Sequence, residues 1–181
     1  MIFAPDTEVA LRSVVNLVNT LDPDGGEKLA TRADLDEFLA RERFTGSRTH
    51  DDGELASVRT LRSRLRTLWD ATEDEAVDLV NAILRESRAL PQLVKHDEWD
   101  WHLHATSPEA PLADRVGTEA AMAVVDVIRS GELERLRVCA AEDCEAVLID
   151  LSKNRSKRYC DTGNCANRAH VRAYRERKAA S

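Results

Sequence analysis

Aromatic residues are scarce in this chain, only 4% of its 181 positions, and it has two Met, five Pro and seven Gly. So few large rings, in a chain where a third of the residues are charged, exclude an aromatic core and leave Leu, Val and Ala to fill the interior, which suits helices. No stretch approaches the roughly 18 apolar residues that a membrane helix needs. Met1–Val15 lacks a basic start followed by an apolar run, since Asp6 and Glu8 come early. The expected compartment is therefore the cytoplasm, with no membrane partner. Lys is sparse too, five against 21 Arg. Base–nucleophile sets, phosphate-cradling glycine loops and paired-carboxylate signatures do not stand out, so an enzyme is not expected.

Helical periodicity dominates what is there. Thr7–Leu21 places Leu11, Val14, Leu17, Val18 and Leu21 at helix spacing, then stops at the Leu21-Asp-Pro-Asp-Gly-Gly26 turn signal. Thr31, with Asp34 three residues on, reads as the cap of a helix over Ala33–Arg43. Glu54–Ala71, Asp74–Arg85 and Leu112–Ser130 repeat apolar residues at three and four, the last ending at Gly131. Between them the period changes to two. Trp99, Trp101, Leu103 and Ala105 alternate with Asp100, His102 and His104, a strand with Leu90–Lys95 as hairpin partner. His102 and His104, with His96, Asp97, Glu98 and Asp100 nearby, put two rings on one side of a strand, which a metal can use, but read first as the polar face of that hairpin. Trp69, Trp99 and Trp101 read as core.

Four cysteines come as Cys139-Ala-Ala-Glu-Asp-Cys144, fifteen residues, then Cys160-Asp-Thr-Gly-Asn-Cys165. In a reducing compartment two spaced pairs are metal ligands before they are disulfides. Four thiolates suit one tetrahedral, structural Zn2+ with no open position for catalysis. The intervening chain reads as a hairpin, Ala146–Leu151 against Lys157–Tyr159, and Cys165 opens a helix over Ala166–Ala179. Turn, hairpin and helix-borne ligand are the layout of a treble-clef-like zinc finger. The expected fold is mainly α: a helical domain with a small β-hairpin over 1–135, then the finger over 136–181, docked without a flexible linker on the last helix before it.

The net charge of −7 conceals a division. Residues 151–181 hold nine basic and two acidic residues, a local +7, which leaves −14 on the rest. At 100° per residue Arg168, Arg172 and Arg175 fall within about 60° of one another. Lys153, Arg155, Lys157 and Arg158 come from the turn before Cys160. Arginine's forked donors suit phosphate and guanine edges, so these seven residues are the candidate nucleic-acid contacts and DNA the expected partner. Val171 and Tyr174, on a neighbouring face, are expected to pack on the hairpin. Asn16 and Asn19, at the end of the first helix, could line a pocket for a small effector; capping and interhelical bonds are the alternative use.

The run Cys160-Asp-Thr-Gly-Asn-Cys165-Ala166-Asn167-Arg168 resembles the CGNR zinc-finger proteins, with alanine where the signature has glycine. Upstream, Val15-Asn16-Leu-Val-Asn19-Thr20 and Leu29-Ala-Thr31-Arg-Ala-Asp34-Leu35 are similar to the start of the ABATE domain that precedes that finger. Such proteins are regarded as candidate stress-induced bacterial transcription regulators. The resemblance implies zinc on Cys139, Cys144, Cys160 and Cys165, and DNA as partner. The sequence thus points to a DNA-binding regulator with an N-terminal sensing or dimerisation domain. The competing reading is a zinc-stabilised protein-interaction or RNA-binding module. One finger reads only a few base pairs, so a homodimer is expected.

Overall fold

The first helix, α1 (Pro5–Val18), begins as physical chemistry favours: Pro5 occupies the first turn, and Asp6 and Glu8 face the positive end of the helix dipole. The computed structural model describes residues 3–22, 26–95 and 101–179. The helix is shorter than its periodicity predicts. Thr20 turns back to give its hydroxyl to the Leu17 carbonyl, and Leu21 pairs with Glu27 in an isolated bridge.

Side chains cap the next three helices. The Thr31 hydroxyl accepts from the Asp34 N–H while Asp34 accepts from the Thr31 N–H at 2.7 Å, a complete capping box that starts α2 (Arg32–Arg41). Asp51 accepts from the Glu54 N–H at 2.7 Å and starts α3 (Asp52–Arg66). Thr72 and Glu75 repeat the box for α4 (Glu73–Glu86). The helix expected to run on to Ala71 breaks after Arg66 into a 3-10 turn, Thr67–Trp69, which carries Trp69 into the core. The longest helix, α5 (Leu112–Arg129), packs against α1, α3 and α4. Gly117 permits the approach, since a Cβ there would stand 3.1 Å from Leu61 Cδ1 and 3.3 Å from Ile83 Cγ2. Gly131, at φ +64°, turns the chain out of α5 as expected.

Among the described residues the strands form two antiparallel pairs. In the first, β1 (Gln92–Val94) pairs with β2 (His102–His104), with Leu93 opposite Leu103. Leu93 and Leu103 face solvent, and Trp101 is 66% exposed, not core. Trp99 lies outside the described residues.

The second pair corrects the expected finger. Val147–Ile149 (β4) is a strand, but its partner is Leu136–Val138 (β3), which precedes the first cysteine, and not Lys157–Tyr159. Asp150 explains why. Its buried carboxylate accepts from the Ser152 and Lys157 N–H groups, each at 2.9 Å, and so folds residues 150–157 into a loop.

The docking partner also differs from expectation. Leu136, Val147 and Ile149 enter the same apolar cluster as Leu11, Leu17, Leu65 and Val124. Here β4 lies on α1 and β3 on the Thr67–Trp69 turn. The Asn19 amide donates to the Val147 carbonyl and accepts from the Val147 N–H, both at 2.9 Å. Trp69 Nε1 donates to the Leu148 carbonyl at 2.9 Å. The hairpin thus seats chiefly on the start of the chain, through two residues that satisfy its outer backbone groups.

Candidate metal centre and nucleic-acid interface

The cysteines are brought together by backbone geometry. Cys139 and Cys144 bracket the tip of the β3–β4 hairpin, where the Cys139 N–H donates to the Ala146 carbonyl at 2.9 Å. The Ala140 N–H reaches the Arg158 carbonyl at 2.8 Å and draws the second arm alongside. Asn164, at φ 51°, turns the chain sharply into α6 (Cys165–Ala179). Asparagine tolerates that left-handed conformation.

All four sulfurs lie within 4.8 Å of one another, and none is in a disulfide. Cys144 and Cys160 Sγ are 3.7 Å apart, and Cys160 and Cys165 Sγ 3.6 Å. A tetrahedron with Zn–S near 2.3 Å has edges of about 3.8 Å, so the residues fit the ion. Gly163 adds to the fit, since a Cβ there would stand 3.1 Å from Cys165 Sγ and crowd the sulfurs. Burial pushes the Cys160 thiol up, but the Thr162 hydroxyl and N–H outweigh it and bring it down to about 7.

Around the sulfurs the cations have defined partners. Arg168 Nη2 donates to Cys165 Sγ at 3.2 Å and its Nη1 to Asp143 at 2.5 Å. Arg172 pairs with Glu142 at 2.7 Å, and Lys157 with Asp161 at 2.6 Å. Arg155 bonds both Glu132 and Glu134. Arg158 lies over the Tyr159 ring. Arg175 and Lys153 are exposed and make no ion pair with a described residue. The structure therefore does bring the basic loop and the helical stripe to the same small module, with part of the charge already matched.

Of α6, only Cys165 is buried. Val171 and Tyr174, expected against the hairpin, are 49% and 59% exposed. The hairpin's inner face is occupied by α1 and the Trp69 turn, so it has no seat to offer them.

Asn16 and Asn19 bond to different partners. Asn19 is spent on Val147, while Asn16 is exposed and donates to Glu42 at 3.0 Å. A concavity of about 290 Å³ between α3, α4 and α5 is lined by Ser57, Thr60, Arg64 and Glu86, and by neither asparagine. His102 and His104 approach to 3.1 Å between Nε2 atoms. Among the described residues no third ligand joins them, and the four cysteines are the group that converges. His96, Asp97, Glu98 and Asp100 lie outside the described residues.

Sequence reasoning missed the residues that hold the basic loop. Asp150 Oδ2 accepts from Arg137 Nη1 at 2.9 Å, and that guanidinium also reaches the Arg155 and Lys157 carbonyls. Arg135, nearly buried, donates to the Asp150 and Ser152 carbonyls. The available signal was an acid closing an apolar strand with serine two residues later, a side-chain-directed turn.

Residues 11–131 match the family model for ABATE, described as "putative stress-induced transcription regulator". The chain belongs to the ABATE family. Residues 135–178 match the CGNR zinc finger, so the finger follows the ABATE region in the order its residues suggested. The four cysteines are the structural zinc site of that finger. Both matches are regulatory or zinc-finger types and not enzyme families. No match is found among curated proteins.

Proposed function

We propose that this ABATE protein is a cytoplasmic bacterial transcription regulator that contacts DNA through α6 and the loop at 153–158. Residues 1–135 act as the sensing or dimerising body and 136–181 as the contact module. One observation carries the reading. A helix of 15 residues buries only Cys165, the zinc ligand at its start, and presents Arg172 and Arg175 to solvent. An α-helix of that kind fits a major groove, and Lys153 and Arg158 extend the basic surface toward flanking phosphates. The pairs that Arg172 and Lys157 make are at the surface, where such bridges contribute little and exchange readily for phosphate.

The test is fluorescence anisotropy of labelled duplex DNA with zinc-loaded protein across a salt series. Arg172→Ala/Arg175→Ala should reduce the slope of log K against log salt by roughly 1.8, about 0.9 per lost phosphate contact. Unchanged affinity and slope would overturn the reading. The exposure of Val171 and Tyr174 favours a second one, a protein or RNA partner seated on the same helix. Absence of DNA binding at about 50 mM salt, with a partner lost on Tyr174→Ala, decides for it.

A further inference from the structure

We propose that Arg168 is a positioning residue of the zinc centre, clamping the two cysteine arms, and not one of the contacts offered to nucleic acid. The three arginines of the stripe share a face but not a setting. Arg172 is paired with a surface glutamate whose side chain is 80% exposed. Arg175 makes no ion pair with a described residue. Arg168 alone of the three reaches a metal ligand, Cys165 Sγ at 3.2 Å, and Cys165 is fully buried. Its other nitrogen holds Asp143 at 2.5 Å, beside Cys144 on the opposite arm. One planar guanidinium therefore spans from the second cysteine pair to the first.

Two physical needs converge there. Four thiolates around Zn2+ leave a net charge of −2, and a guanidinium on a sulfur offsets part of it. Other donors to the sulfurs are neutral: the Cys160 N–H on Cys139 Sγ and the Thr162 hydroxyl on Cys160 Sγ. Hydrogen bonds from outside the ligand set orient the ligands, and their loss typically costs 10–100-fold in metal affinity. Second, α6 buries only Cys165, so little packing fixes its direction. The Arg168–Asp143 and Arg172–Glu142 pairs tie its first two turns to the Cys139–Cys144 arm. Of these, the Arg168 link is anchored at the metal.

The full-length protein, loaded with Co2+ or Zn2+, separates these roles without reference to DNA. Arg168→Ala should weaken zinc binding 10-fold or more in competition with a chromophoric chelator, and should shift the thiolate-to-cobalt charge-transfer bands. Arg175→Ala should leave both unchanged. Arg172→Ala, which loosens the helix but touches no sulfur, should leave the cobalt bands unshifted and cost far less affinity than Arg168→Ala. Arg168→Lys should recover part of the affinity by restoring charge without the fork. Circular dichroism of each loaded variant checks that the helices are intact. Wild-type zinc affinity and an unshifted cobalt spectrum in Arg168→Ala would overturn the assignment. So would equal losses in all three alanine variants, which would mark a general charge effect.

Discussion

The molecule contains two hairpins of the same size, three residues to a strand, in opposite circumstances. All three residues of β4 are buried, and the hairpin it forms with β3 is joined to the helices by Asn19 and Trp69 and closed at its tip by zinc ligands. The β1–β2 hairpin turns outward, with Leu93, Trp101 and Leu103 all exposed. Two strands alone are marginal in water, so a hairpin holds its shape through what covers it. For β3–β4 one side belongs to the body's apolar cluster, through Leu136, Val147 and Ile149, and the other to the cysteine cluster, through Leu148, so a change in either cluster should be felt by the hairpin.

The sharpest way to break the comparison is to take away the metal. Chelation, or Cys144→Ser, should unfold the arms and α6, because zinc binding supplies about 10 kcal/mol or more of folding free energy in finger modules. Helices α1 to α5 should keep most of their circular-dichroism signal. Trp69 fluorescence should nevertheless change, since its ring nitrogen is bonded to Leu148 of the hairpin. A collapse of all helicity would show that body and finger are a single cooperative unit.

Asp150 comes next. Asp150→Ala leaves the Ser152 and Lys157 N–H groups without their buried acceptor, at about 1–3 kcal/mol each, while Arg137 loses its carboxylate but keeps the carbonyls it also reaches. Burial pushes the Asp150 carboxyl up, but the Ser152 hydroxyl and N–H, the Lys157 N–H and Arg137 hold it below the ordinary carboxylate range. A folded value below the unfolded one means that the carboxylate stabilises the protein above its ordinary pKa near 3.9. That contribution is lost as pH falls through the lowered value. Thermal melts against pH should show this acid-side loss in wild type and a smaller one in Asp150→Asn.

A smaller effect tests the seam itself. Asn19→Ala strands both backbone groups of Val147 in a buried place, at about 1–3 kcal/mol for each unsatisfied group. Asn16→Ala, on the surface three residues earlier, should stay within about 0.5 kcal/mol. Denaturant unfolding of the two variants side by side measures the difference. Equal effects would remove the seam from the account.

These residues also show what was legible beforehand. Helices were readable because their signals are local: apolar spacing of three and four, and Thr31–Asp34 as a cap. The zinc ligands were readable because a four-thiolate site demands paired cysteines. The partner of β4 was not, because register is decided by contacts far apart in sequence, here Asn19 with Val147. Nor did spacing show that Asp150 would take the backbone bonds a strand at 157–159 would need. Helical spacing puts Arg168, Arg172 and Arg175 on one face of α6, yet a helical wheel does not report that one member reaches a sulfur.

The outward hairpin should give the smallest response. Leu93→Thr or Trp101→Thr removes side chains that lie largely in water, so stability should change by no more than about 0.5 kcal/mol. Leu136→Thr or Val147→Thr, buried in the common core, should cost several times that through lost burial and a stranded hydroxyl. Thermal unfolding at two protein concentrations makes the contrast informative beyond stability. Apolar faces left open on a body are where self-association arises. Were the β1–β2 face to join a second copy, the melting temperature would rise with concentration in wild type and not in Trp101→Thr. A concentration-independent melt in both would leave the two hairpins differing as drawn, one covered by the body and closed by the zinc ligands, the other open to water along its apolar side chains.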